Sequence, residues 1–230
     1  LMNRLTADDG DTFLSLSEWQ SLTGQDGNSI ISTPAELFVS AATDDYHLAS
    51  SSPAIDSGTG GLLTAREDLE SHPRPLDGDI DGSVAWDLGA YEYVPTLTYN
   101  AWQSLHYTPT QIANPSVSGP QADSNDDGTR NLLAYALGLD PWTYTREGLP
   151  TETTVNNKPG ITFRQQYGTT DIQIGVEQSS NMTTWSEALP MSGDPLNNGD
   201  GTETLIYTSA TPLEANERVF IRMRVVLTET

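Results

Sequence analysis

Apolar runs in this chain are short, and Gly, Pro or a turn-forming Asn or Asp interrupts each of them. With 19 Gly and 14 Pro in 230 residues, this punctuation restricts the fold to short strands joined by turns. After Pro150 the segments Ile161-Thr162-Phe163, Ile172-Gln173-Ile174-Gly175-Val176, Leu205-Ile206-Tyr207 and Val219 to Val225 alternate with strand period. In the last of these, Val219, Ile221, Met223 and Val225 share one face while Arg222 and Arg224 share the other. One buried face and one wet face predict antiparallel sheets packed as a β-sandwich, so the chain is read as all-β.

Before Val94 the same logic predicts strands at Ser29 to Ser32, Glu36 to Val39 and Tyr46 to Leu48. Helical signal is confined to three places. Ser15 or Ser17 can cap a turn through Leu22, Ala101 to Leu105 suits a short helix, and Asn131 to Leu139 carries Leu132, Leu133, Ala136 and Leu137 at helical spacing. Gly138 serves that last helix as C-cap, with Pro141 just beyond. Thr108 to Pro120 reads as a loop or linker, and a boundary falls at residues 94 to 100. The predicted organisation is therefore 1–95, a linker with an acidic loop and short helix at 96–150, and a sandwich at 151–230.

Ten basic residues, among them the single lysine Lys158, face 32 acidic ones, and the formal charge of -22 excludes nucleic acid as a partner. So many carboxylates repel one another unless salt, divalent cations or a cationic partner neutralises them. There is no Cys, hence no disulfide and no thiolate metal site. No apolar run approaches the roughly 18 residues of a membrane helix, which predicts no transmembrane segment. The opening Leu1-Met2-Asn3-Arg4 lacks a signal peptide's apolar stretch and reads like mid-domain sequence. The chain is accordingly read as a fragment or processed product, with any export signal upstream.

The sharpest local chemistry is Asp123-Ser124-Asn125-Asp126-Asp127-Gly128-Thr129-Arg130-Asn131, which runs into the strongest predicted helix. Asp123, Asn125 and Asp127 stand at loop positions one, three and five, Gly128 at six permits the sharp turn, the Thr129 carbonyl is at seven and Asn131 at nine. Oxygens at alternate positions can wrap one hard cation, here Ca2+. Position twelve, which calls for a bidentate Glu, is Ala134, so the shell must be completed from elsewhere. The competing reading is an ion-free turn acting as a helix N-cap. A second, weaker candidate is Asp77-Gly78-Asp79-Ile80-Asp81-Gly82, where Asp77, Asp79 and Asp81 alternate in the same way. Asp200, between Gly199 and Gly201, is read as a hairpin turn.

Nothing in the chain has the form of HExxH, GxSxG or a phosphate-cradling Gly-rich loop, and His47, His72 and His106 are scattered. A paired-carboxylate site would fall to Asp56, Asp87 and Glu92, but Asp56 in Pro53-Ala54-Ile55-Asp56-Ser57-Gly58 and Asp87 in Trp86-Asp87-Leu88-Gly89 suit turn-closing roles better. Arg66 and Arg74 are the only basic residues, besides histidines, between Arg4 and Arg130, which is thin support for a lyase base. No catalytic residue is therefore assigned. The five Trp could stack on sugar rings, though a Trp in a strand-rich domain more often belongs to its core.

The series Phe13 to Gln20, Gly24-Gln25-Asp26, Asp45 to Leu48, Ser52 to Gly58, Pro73-Arg74-Pro75 and Asp87 to Tyr93 resembles the end of the right-handed parallel β-helix of secreted bacterial proteins of the choice-of-anchor type, a group overlapping polysaccharide-lyase-like folds. Residues 99 to 230 are similar to a carboxyl-terminal module of large exported proteins, notably from Verrucomicrobia and Planctomycetes. That similarity rests on Asp123 to Gly128, Asn131 to Pro141, Val176 to Ser179, Trp185 and Arg218 to Arg222, and its pattern usually has Glu where this chain has Ala134. The resemblance implies terminal coils and cap of a β-helix over 1–95, export to the cell surface or beyond, and any catalytic cleft on earlier coils.

The resulting expectation is a non-catalytic, calcium-stabilised region that caps a solenoid and serves attachment or assembly. Its candidate partners are extracellular polysaccharide or cell-surface components, with self-assembly as a further option. The alternatives are the accessory tail of a polysaccharide lyase or glycoside hydrolase, and a carbohydrate-binding module.

Overall fold

Local hydrogen bonds set the first elements of the computed structural model, which describes residues 13–59, 65–186, 189–210, 212 and 218–228. Helix α1 (Leu16–Thr23) starts where the Ser15 hydroxyl accepts from the Glu18 amide and the Glu18 carboxylate accepts from the Ser15 amide, and ends at Gly24 with φ 67°. The same reciprocal cap, Thr33 with Glu36, and Pro34 at the first position make a one-turn helix α2 (Pro34–Leu37). This overrides the strand expected at Glu36 and Leu37, and Ser29 to Ser32 forms no strand either. Strands β1 (Phe38–Ser40) and β2 (Asp45–Leu48) then pair antiparallel across a tight turn at Ala41–Thr43.

The expected coils of a parallel β-helix are not formed by the described residues before 96. Parallel neighbours need a crossover of about a dozen residues or more, whereas the Ala41–Thr43 turn can only send the chain back antiparallel. The other pairings here, Gly58 with Trp86, Glu67 with Pro73 and Leu76 with Ala85, are isolated antiparallel bridges. The single parallel pairing among the described residues is the bridge from Leu97 to Thr169.

Thr98 caps helix α3 (Tyr99–His106). The predicted linker holds two one-turn helices, α4 (Pro109–Ile112) and α5 (Pro115–Ser118), because Thr108-Pro109 and Asn114-Pro115 each place a capping side chain before a Pro. Helix α6 (Asn131–Leu137) begins where expected, stops two residues short of the expected Leu139, and is closed by the expected cap Gly138 with φ 64°. A β-carbon on Gly138 would lie 2.6 Å from Gln166 Oε1 and 2.7 Å from Thr202 Cγ2, so this cap also admits the sheet beneath it.

The remaining strands are β3 (Thr151–Val155), β4 (Lys158–Gln166), β5 (Ile172–Ser179), β6 (Leu196–Asn197), β7 (Thr202–Thr208) and β8 (Phe220–Leu227). They form two antiparallel sheets, one in the order β3-β4-β7-β6 and the other β5 with β8. Gly199, Asp200 and Gly201 make the expected turn between β6 and β7. Phe163, Val176, Leu189 and Leu205 meet between the sheets together with Leu137 of α6, which plugs that core with its last turn. A second core gathers Leu97, Tyr99, Trp102, Tyr107, Leu132 and Tyr135 around the helices. The buried Tyr135 hydroxyl donates to Leu97 O at 2.7 Å and to Asp171 Oδ1 at 2.6 Å, and Asp171 Oδ2 accepts from the Tyr99 amide, so β5 is tied to α3 and α6.

Candidate metal centre

Asp77 to Gly82 and Asp123 to Gly128 fold into the same loop. In both, the first Asp accepts from the backbone amides four and five residues on: Asp81 N at 3.0 Å and Gly82 N at 2.9 Å in one, Asp127 N at 3.2 Å and Gly128 N at 2.7 Å in the other. The side chains at position three, Asp79 and Asn125, accept from those same Asp81 and Asp127 amides at 3.1 and 3.2 Å. The carboxylates at position five accept from Ser83 N at 2.8 Å and Thr129 N at 2.7 Å. Each carboxylate retains lone pairs after these bonds, since its oxygens offer about four acceptor positions.

The loops differ in what faces them. Asp56, Asp77 and Asp79 bring one carboxylate oxygen each within 4.8 Å of one another, and this is the one such cluster of ionisable ligands among the described residues. Oxygens sharing a calcium at about 2.3–2.6 Å stand up to about 5 Å apart, so the cluster fits that ion. Asp56 is delivered by a buried polar frame. Asp87 Oδ1 accepts from the Asp56 amide at 2.8 Å, Glu92 Oε1 accepts from the Leu76 amide at 2.9 Å, and Arg74 joins the two acids through Glu92 Oε2 at 2.7 Å and the Asp87 carbonyl at 2.8 Å. Gly78 permits the approach, because a β-carbon there would lie 2.6 Å from Ile55 Cγ2 and 3.3 Å from Asp56 Oδ2.

Burial, and then the charges of Asp87, Asp79 and Asp77, push the Asp56 carboxyl up to about 6, against an opposing hydrogen bond from the Asp79 amide. Burial also raises Asp77, with Asp81 and Asp79 adding repulsion. Asp56 Oδ1 is buried and accepts no hydrogen bond. A cation held among the three carboxylates would offset the repulsion.

Of the residues singled out from sequence, Asp77 and Asp79 enter the cluster with Asp56, while Asp81 serves the loop backbone. Asp123, Asn125 and Asp127 converge as spaced, and Thr129 follows them, but no third carboxylate joins that loop among the described residues. The Asn131 side chain is turned inward, toward α5 and Ser124 of the loop. At 1% exposure, its Nδ2 donates to Val117 O at 2.8 Å and Gly119 O at 3.0 Å, and its Oδ1 accepts from Ser124 at 2.8 Å, so its side chain is spent on holding α5 to the loop. Asp87 and Glu92, weighed as a catalytic pair with Asp56, are instead buried with their oxygens on backbone amides and Arg74. Asp56 is the member of the cluster that sequence spacing missed, since it lies outside the loop's own repeat.

Searches against protein-family models, characterised proteins and solved structures give no match to this chain.

Proposed function

We propose that this chain is a non-catalytic, calcium-stabilised part of an exported or cell-surface protein, serving attachment or assembly. The observation that carries the reading is the Asp56, Asp77 and Asp79 cluster, with Asp56 Oδ1 buried and lacking a donor beside two like charges. The Asp123 loop, built on the same hydrogen bonds, is the second ion position. Open, oxygen-only loops of this kind suit extracellular calcium, where affinities of about 10⁻⁴–10⁻³ M suffice. A chain without Cys and with a formal charge of -22 gains both cross-linking and charge neutralisation from such ions.

The test is calorimetric titration with calcium together with thermal melting in calcium and in chelator. Calcium is expected to raise the midpoint and chelator to reverse it. Asp56→Asn is expected to melt higher than the native chain in chelator, because one of the repelling charges is gone, and to lose much of the calcium response. Identical midpoints in calcium and chelator, with no heat of binding, would refute the reading.

A further inference from the structure

The end of the sandwich remote in sequence from both acidic loops carries two grooves. One, of about 820 Å³, runs along Thr151, Glu152, Thr153 and Thr154 and reaches Phe220. The other, of about 340 Å³, lies over Gln178, Ser180, Thr184 and Ser186. Trp185 and Val219 line both, so the half-buried indole stands as a ridge between them. No residue of either acidic loop lines them.

The ridge is held rigidly. The Arg222 guanidinium lies 4.0 Å from the Trp185 ring centroid, and Glu177, its partner across β5 and β8, fixes it through Nε at 2.7 Å and Nη2 at 2.6 Å. Such a cation stack orients the ring at little entropic cost to a later ligand. Met182, 60% exposed, extends the apolar surface beside it.

The chemistry of the lining narrows the ligand. Hydroxyl groups make up most of the polar lining beside apolar residues, Glu152 is the one ionisable residue, and neither Lys nor Arg lines either groove among the described residues. Gln178, whose Oε1 is buried without a donor, lies along the second groove. A polyanion would meet a chain of formal charge -22 in which Arg222, the base against the indole, is already paired with Glu177. A flat apolar ring among neutral donors and acceptors suits a ligand with one C–H face and many hydroxyls.

We infer that the Trp185 ridge binds a neutral polysaccharide chain, whose sugar ring stacks on the indole face opposite Arg222 while its hydroxyls reach Gln178 and the flanking Thr and Ser. This deepens the attachment reading by naming its ligand class, and rests on that reading. The ridge is read by glycan mobility and the metal centre by calcium melting, so either can fail alone.

The experiment is native affinity electrophoresis of the full chain in gels cast with a neutral β-1,3-glucan, a β-1,4-mannan or a xylan, with alginate as the polyanionic arm. Retardation is expected in at least one neutral polymer and not in alginate. Trp185→Ala should weaken it about tenfold or more, and Trp185→Tyr, which keeps a stacking ring, should restore most of it. Gln178→Leu should weaken it as well. Absence of retardation by every neutral polymer, equal retardation by alginate, or equal retardation of native protein and a folded Trp185→Ala would overturn the inference.

Discussion

Ile80 and Asp126 occupy the same left-handed backbone position in two acidic loops, at φ 58° and 57°. Asp tolerates that conformation, whereas a β-branched residue does so at a cost. Ile80 remains there because its side chain packs against the core containing Leu97 and Trp102. The first loop is thus anchored by burial as well as by its own hydrogen bonds.

The glycines that close these loops report the shared geometry. Gly82 and Gly128 have φ 94° and 92°, and a β-carbon at either would have no atom within 4 Å. Gly82→Ala and Gly128→Ala therefore incur backbone strain alone, about 1–2 kcal/mol each. Urea unfolding should give similar losses for the two.

Arg74 neutralises a buried frame in which Arg74, Asp87 and Glu92 are 6%, 3% and 5% exposed. Arg74→Met leaves two buried carboxyls without their cation and should destabilise the chain by about 3–5 kcal/mol in urea unfolding. Because that frame places Asp56, the same variant should lose calcium affinity at the first loop.

Asn131→Ala removes a side chain that makes three hydrogen bonds in the interior. A loss of about 1–3 kcal/mol is expected from the three buried bonds removed, since Val117 O keeps the Ser124 hydroxyl, Gly119 O keeps the Ala122 amide and Ser124 keeps Tyr107. Calorimetry should find the calcium stoichiometry unchanged in the folded variant, whereas Asp127→Asn should weaken the second ion.

His47 clasps the hairpin to a later loop, with Nδ1 2.6 Å from Asp45 Oδ1 and Nε2 3.1 Å from Glu70 Oε2, beneath the Tyr91 ring. Its hydrogen bond with Asp45, then that with Glu70, raises it above the ordinary 6.5. A raised histidine contributes stability below its unfolded value and loses it as pH rises through the folded one. The melting advantage over His47→Gln should therefore be full below about pH 6 and shrink above 6.5. An advantage that does not change with pH would contradict this.

Much of the local structure was legible because its hydrogen bonds close within a few residues. Ser15 with Glu18, Gly138 after Leu137, and Asp123 with Gly128 are sequence neighbours, so their chemistry can be read from spacing. The strands after Pro150 were legible through alternation, since each buries one face. Alternation misled at Glu36 and Leu37, where the Thr33 cap and Pro34 won, and the β-helix coils that the resemblance implied are not formed by the described residues before 96, where short turns send the chain back antiparallel.

The sequence by itself thus determined the loops, caps and strand faces of this protein, all of them consequences of bonds and periods a few residues long. Only the tertiary structure decided that Asp56 meets Asp77 and Asp79, that Asn131 turns inward, and that Trp185 stacks on Arg222. Those placements depend on a buried frame joining residues 56, 74, 87 and 92 and on pairing of β5 with β8, and the summed burial of distant segments fixes them.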